Sequence, residues 1–168
     1  GAALLSISVM NVLRSQTLSN TNFYDPADVL SALNESFPME KQNNMFFTMW
    51  YGVYEMTSRK LTYSSGGHPP AVLITGDTKD QAIAVELKTP GLVVGGMPDV
   101  KFASDTCQVG AYNKLYVYSD GVYEIEKPDG QMLRIDEFID VLAEPSQKGV
   151  EDVDRILQYC RNLHGEGP

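Results

Sequence analysis

Apolar residues change their spacing twice along this chain, and the changes divide it into three stretches. Over residues 2–15 they fall at helical spacing. Ala2, Leu5, Val9 and Val12 form one stripe, and Ala3, Leu4, Ile7, Met10 and Leu13 widen it around most of the circumference. A helix apolar nearly all round is normally buried or paired with another helix. A polar link, Ser19 to Asn22, follows. Asp25-Pro26 then reads as an N-cap with proline at the first helical position. Asp28 suits the positive end of the helix dipole, Leu30, Leu33 and Phe37 give one apolar face, and Pro38 is a stop.

From Met45 onward the spacing shortens to two. Phe47, Met49, Tyr51 and Val53 alternate with Phe46, Thr48, Trp50 and Gly52, and the turn-like run Thr57 to Lys60 leads into Leu61-Thr62-Tyr63. That pattern predicts a hairpin. Gly66-Gly67-His68-Pro69-Pro70 is an abrupt loop, Ala71 to Thr75 a strand, and Ala82 to Leu87 its return. The stretch from Pro90 to Pro98, with Gly91, Gly95 and Gly96, reads as a long irregular connection. Lys101 to Val109 and Lys114 to Tyr118 read as the next strand pair, joined around Gly110 and Asn113. Lys127-Pro128-Asp129-Gly130 is a turn by composition. Helical spacing then returns. Asp136 is expected to cap a helix with Phe138, Ile139 and Leu142 inside. Val150, Val153, Ile156, Leu157, Cys160 and Leu163 make the stripe of a last helix ending at Gly165. Helices, then antiparallel strands, then helices is an α+β order.

Composition narrows the partners. The 168 residues amount to one domain, 43% hydrophobic and 21% charged, with a net charge of -9. An acidic balance argues against nucleic acid, whose binding rests on Lys and Arg, and leaves no basic face for anionic lipid. No apolar run approaches the ~20 residues of a membrane span. Cys107 and Cys160 match no zinc or redox spacing, and a reducing cytosol is the expected compartment. The apolar helix opens at residue 1 with no cap before it, so the chain is expected to begin inside a domain.

Candidate chemistry centres on Leu115-Tyr116-Val117-Tyr118-Ser119-Asp120-Gly121-Val122-Tyr123-Glu124, read as an apolar strand ending in an acid and a glycine. An acid at the tip of a buried strand is shielded from water, and its charge calls for a cation or donors. Hard divalent ions such as Mg2+ or Mn2+ take such carboxylate oxygens. Gly121 would let the backbone turn sharply and let a water or phosphate approach. On spacing alone the plain turn reading stands ahead, because Asp-Gly is a common turn dipeptide. A two-ion centre needs several carboxylates. Glu124 is the best placed second acid and is expected as a salt-bridge or hydrogen-bond partner at the rim. His68 is expected to brace its Gly/Pro loop through its ring nitrogens, and His164 has no assigned role.

Taken in order, Phe47-Thr48-Met49, Tyr51-Gly52-Val53, Leu61-Thr62-Tyr63, Gly66 to Pro70, Tyr118-Ser119-Asp120-Gly121-Val122 with Glu124, and Pro128-Asp129-Gly130 resemble the bacterial branch of the PPM (protein phosphatase 2C-like) phosphatases. That branch contains the sporulation stage II protein E and the regulators of the general stress sigma factor. The opening Gly1-Ala2-Ala3-Leu4-Leu5 resembles the helix after the family's Asp-x-Ser-Gly-His-Gly segment.

The resemblance implies a partial PPM-type β-sandwich of antiparallel strands with flanking helices. It implies a metal-dependent protein serine/threonine phosphatase acting by metal-activated water, with two Mn2+ or Mg2+ ions in the intact domain. The usual substrate would be a phosphorylated anti-sigma-factor antagonist. Asp120 would be the catalytic and metal-binding residue, supported by Gly121, Glu124 and His68. Residues 1–168 would form a single incomplete domain: a helical regulatory pair at 1–38, antiparallel strands at 45–126 and closing helices at 135–165. Upstream sensor or receiver domains, and a homodimer through the 2–15 helix, would act on the regulatory pair. The family's other metal aspartates would fall before Gly1 and after Pro168, so the chain alone is expected to hold metal weakly and to be inactive. The alternatives are a non-catalytic signalling module of degenerate phosphatase fold, or an unrelated α+β binding domain in which Asp120-Gly121 is only a turn.

Overall fold

The computed structural model describes residues 1–145 and 149–163. The expected end of the last helix at Gly165, and His164, lie outside the described residues. The chain forms two compact units, each assembled from two separate stretches. The first holds residues 1–70 and 87–109; the second holds 71–86 and everything from Gly110 onward.

In the first unit, α1 (Ala2–Ser15) and α2 (Pro26–Ser36) precede the strands β1 (Met49–Glu55) and β2 (Lys60–Gly66). The Asp25 side chain accepts the Ala27 N–H at 3.1 Å, satisfying one of the helix's orphan donors. The Ser104 hydroxyl donates to the same carboxylate at 2.9 Å and accepts from Ala27 N at 2.9 Å. β1 and β2 form the expected antiparallel hairpin, with Glu55 opposite Lys60 and Arg59 turning at φ 53. β5 (Asp105–Gln108) joins the other edge of β2, giving the order β1-β2-β5. α2 packs on β1 and β2. Leu5, Val9, Leu18, Val29, Leu30, Leu33, Phe37, Val94 and Phe102 form the core.

The 90–98 connection is pinned to α2. Asn34 is only 4% exposed. Its Nδ2 donates to Met97 O at 3.0 Å and its Oδ1 accepts from Gly95 N at 2.7 Å. Gly95 sits at φ +82, and a methyl group there would stand 2.3 Å from Phe37 O, so only glycine fits.

The second unit is built on β3 (Ala71–Gly76), β4 (Ile83–Leu87) and β6 (Tyr112–Tyr116), in the order β4-β3-β6. Its core joins Val72, Ile74, Leu133, Phe138, Leu142 and Ile156, with α3 (Ile135–Ala143) against β3 and α4 (Asp152–Leu163) completing it. Arg155 links the two helices: its Nη1 donates to Val141 O at 2.8 Å and to Glu144 Oε2 at 3.1 Å.

Several sequence expectations need correction. The strands expected at 101–109 and 114–118 do not pair with each other. β5 pairs with β2, and β6 pairs with β3 in the other sheet. The reason lies at Gly110, whose N–H donates to Thr75 Oγ1 at 2.7 Å. A methyl group there would stand 2.3 Å from Gly76 O, so the chain crosses tight against the end of β3. α1 is less covered than its composition suggests: Leu5 and Val9 are buried, but Leu4 is 69% exposed, and Ile7 and Met10 are also open. The position before α3 is Arg134, not Asp136. The Glu137 carboxylate accepts the Arg134 N–H at 2.9 Å, and Asp136 pairs with the Arg134 guanidinium. In α4, Ile156 is buried while Val153 and Leu157 face outward. Arg155, beside Ile156, takes the inner position instead.

Candidate functional site

β6 ends at Tyr116, two residues earlier than the sequence suggests, and it is not a buried strand. Leu115 is 44% exposed and Val117 52%. Strand alternation explains this: Tyr112 and Tyr116 pack on the helical core of the unit, which turns Leu115 to the other face. The expectation of a shielded acid at a buried strand tip is therefore corrected.

After Ser119 the backbone winds into a single 3-10 turn, Asp120–Val122. Tyr123 N and Glu124 N both donate to Asp120 O, at 3.0 and 2.9 Å. The Asp120 carboxylate is exposed, and its Oδ1 accepts from Gly121 N at 2.9 Å. Gly121 does not take a left-handed φ, so it is not the sharp pivot expected. A methyl group there would meet nothing within 4 Å, leaving clear space beside the carboxylate. Glu124 is exposed in the same turn. The structure thus brings Asp120, Gly121 and Glu124 together.

His68 lies in the first unit. It is half-buried, with Nδ1 2.9 Å from Pro69 O, while the Ser65 hydroxyl donates to His68 O at 3.0 Å. Those bonds tie the ring and its backbone into the loop.

Beneath the Asp120 turn lies an aromatic cluster with no signature in the sequence. Tyr118 meets Phe138 edge-on at 5.1 Å and Tyr123 edge-on at 6.0 Å, and Tyr123 lies 6.1 Å from Phe138. Phe138 is 1% exposed. The Tyr118 hydroxyl oxygen is buried with no hydrogen-bond partner among the described residues. Burial, then the neighbouring Tyr123 and Glu86, push its pKa up to about 12. The Tyr123 pKa is also raised, by burial first and then by the charges of Asp120 and Glu124. The Cys160 thiol of α4 donates to Val122 O at 3.4 Å, closing the turn from below.

Among the described residues, no group of three or more His, Cys, Asp or Glu is placed to hold a metal ion. One exposed carboxylate engaged with its neighbouring N–H does not fit a two-ion centre by itself. No described helix is long and apolar enough to cross a membrane.

Comparison with known proteins adds the family. The phosphoserine phosphatase RsbU of Bacillus subtilis is 31% identical over 134 residues, covering 76% of this chain and 39% of RsbU. The chain therefore spans well under half of that relative. The PP2C domain of SiaA from Pseudomonas aeruginosa superposes with a TM-score of 0.76 at 15% identity, over 99% of this chain and 65% of that one. The PP2C phosphatase domain of SpoIIE from Bacillus subtilis, solved with a fragment of its regulatory domain, gives 0.71 at 13% identity, over 96% and 45%. RsbX in complex with magnesium gives 0.61 at 13% identity, over 96% and 66%. These likenesses show an α+β fold of the PPM type. The family model for stage II sporulation protein E (SpoIIE) matches residues 1–168, from the first residue of the chain to the last, and the chain belongs to that family.

Proposed function

We propose that this chain is part of a metal-dependent protein serine/threonine phosphatase. It hydrolyses the phosphoester of a regulatory phosphoprotein, with an anti-sigma-factor antagonist as the substrate class. The observation that carries the reading is the family match over residues 1–168. The named activity of RsbU supports it. So does the Asp120 turn, which presents a carboxylate outward with open space beside Gly121. Asp120 is the one metal-binding and catalytic side chain we assign. Gly121 and Glu124 support it in the same turn, and His68 braces a supporting loop. The remaining carboxylates of a Mn2+ or Mg2+ centre would come from outside the described residues.

Residues 1–168 are then one incomplete domain, with 1–38 as a helical regulatory pair, 45–126 as the strands and 135–165 as closing helices. The exposed Leu4, Ile7 and Met10 of α1 suit a homodimer or an upstream sensor or receiver domain. The cytoplasm is the compartment where such partners meet.

The test is an assay of the full-length protein with Mn2+ on a phosphoserine peptide. We expect turnover, and a loss of at least about 100-fold in Asp120→Asn. No turnover by the unaltered protein would leave a non-catalytic signalling module as the better reading. Undiminished turnover by Asp120→Asn would remove that residue from the site.

A further inference from the structure

The Asp120 carboxylate is exposed, yet the backbone that carries it is gripped from inside the second unit. Tyr118, two residues before Asp120, and Tyr123, three residues after it, both turn their rings inward. They meet the same buried side chain, Phe138 of α3, at 5.1 and 6.1 Å. The two tyrosines also meet each other edge-on at 6.0 Å. Phe138 therefore touches both flanks of one turn. The Tyr118–Phe138 and Tyr118–Tyr123 pairs are edge-to-face, a geometry that matches the ring quadrupoles and adds to simple area burial, while the Tyr123–Phe138 pair is tilted at 34°.

The turn needs this support. It is a single 3-10 turn, and i→i+3 hydrogen bonds are in general poorer in geometry than those of an α-helix. The strand before it ends at Tyr116, so no sheet ladder holds residues 117–119. The Tyr118 hydroxyl is buried without a partner among the described residues, a cost the fold accepts to keep that ring inside.

We propose that Tyr118, Tyr123 and Phe138 act as an aromatic clamp that fixes the direction of the Asp120 carboxylate, making Phe138 and Tyr123 positioning residues. The proposal rests on the phosphatase reading given above. It assigns α3, an element with no functional group of its own in the turn, the task of aiming the acid. Misplacing a reacting group by an ångström costs on the order of 100-fold in rate. A loosened clamp should therefore depress kcat and leave the binding of the phosphopeptide unchanged.

The experiment compares Tyr123→Leu, Tyr123→Phe and Phe138→Leu in the full-length protein. It reads kcat and KM on the phosphoserine peptide together with amide hydrogen exchange at Gly121 to Glu124. Tyr123→Leu removes a half-buried ring without emptying the core, so it remains informative if Phe138→Leu fails to fold. We expect Tyr123→Leu to lower kcat by about 10- to 100-fold with KM within twofold, and to speed exchange across the turn. Tyr123→Phe keeps the ring and should restore both readouts. Unchanged kcat and exchange in Tyr123→Leu would overturn the clamp while leaving the phosphatase reading intact. Equal losses in Tyr123→Phe and Tyr123→Leu would show that the hydroxyl matters and not the ring, which also overturns it. If the unaltered protein shows no turnover, the phosphatase reading fails and takes the positioning role with it, whatever the exchange rates show.

Discussion

Asn34 in the first unit and Tyr118 in the second are buried polar side chains held in opposite ways. In the first, the Asn34 side chain spans from α2 to the 90–98 connection and engages Gly95 N and Met97 O with its two polar atoms. In the second, the Tyr118 hydroxyl and the Nε of Arg155 are buried without a partner among the described residues, and rings and aliphatic side chains carry the packing. The 90–98 connection of the first unit is tied by directional bonds to a helix far away in sequence, so its geometry is specified at points. The Asp120 turn of the second unit is backed by ring contacts, which are less directional, so its geometry depends on volume being filled. Arg155 supplies that unit's directional tie between α3 and α4. Each should fail in its own way.

Substitutions in each unit sharpen that contrast, and the largest effect belongs to the second. Phe138→Ala empties the centre of its core and should cost about 3–5 kcal/mol, read as a lower urea midpoint by circular dichroism. A loss under about 1 kcal/mol would mean that the cluster is not the keystone of the unit. Next comes Asn34→Leu, which keeps the volume, leaves the buried Gly95 N–H without its acceptor and removes the donor to Met97 O. It should cost about 1–3 kcal/mol. Trp50, the single tryptophan, lies in the same unit with Nε1 bonded to Leu87 O at 3.0 Å, and its fluorescence follows the transition. A near-neutral Asn34→Leu would show that the connection is held by Val94 and its neighbours alone.

The smallest effect is the most diagnostic. Tyr63 of the first unit donates to Asp105 Oδ2 at 3.3 Å, and burial, then Asp105, push its pKa up to about 12. Tyr118 reaches about 12 as well, again through burial first, but with no bonded partner among the described residues. For both, the folded state holds the proton more tightly than the unfolded chain, whose tyrosines titrate near ~10. The stabilisation is therefore complete below about pH 10 and is lost as pH rises toward 12. At neutral pH, Tyr63→Phe should cost about 1 kcal/mol, while Tyr118→Phe should cost nothing or stabilise slightly. Each should flatten the alkaline fall in stability. A clear loss in Tyr118→Phe at neutral pH would show that its hydroxyl has a partner after all.

What could be read from sequence was whatever is decided within a few residues. The Asp25-Pro26 cap, the period of α1 and α2, and the β1–β2 hairpin are local signals, and the structure carries them. The pairing of β5 and β6 with different sheets was not legible. It is decided by Gly110 fitting against Gly76, a contact between distant segments that spacing cannot express. At the candidate site the turn at Asp120-Gly121 was legible from its dipeptide, while the choice of Asp120 as the acid came from the strand-tip reading and the family resemblance. The burial of the preceding strand did not follow, since an apolar run is the same string whether one face is covered or two. The Tyr118, Tyr123 and Phe138 cluster was equally hidden, because it forms only when α3 packs against the turn.

The alternation of the chain between its units has a consequence during synthesis. Among the described elements a ribosome releases α1, α2, β1 and β2 before the others, yet their sheet lacks β5 until residues near 109 appear. By then β3 and β4 have already emerged, and they wait for β6 and α3. For that interval the nascent polypeptide carries two unfinished sheets with bare edges on β2 and β3, the situation in which strands pair with the wrong partner. Within this chain, translation from β2 to β6 is the interval in which a chaperone would have bare strand edges to cover.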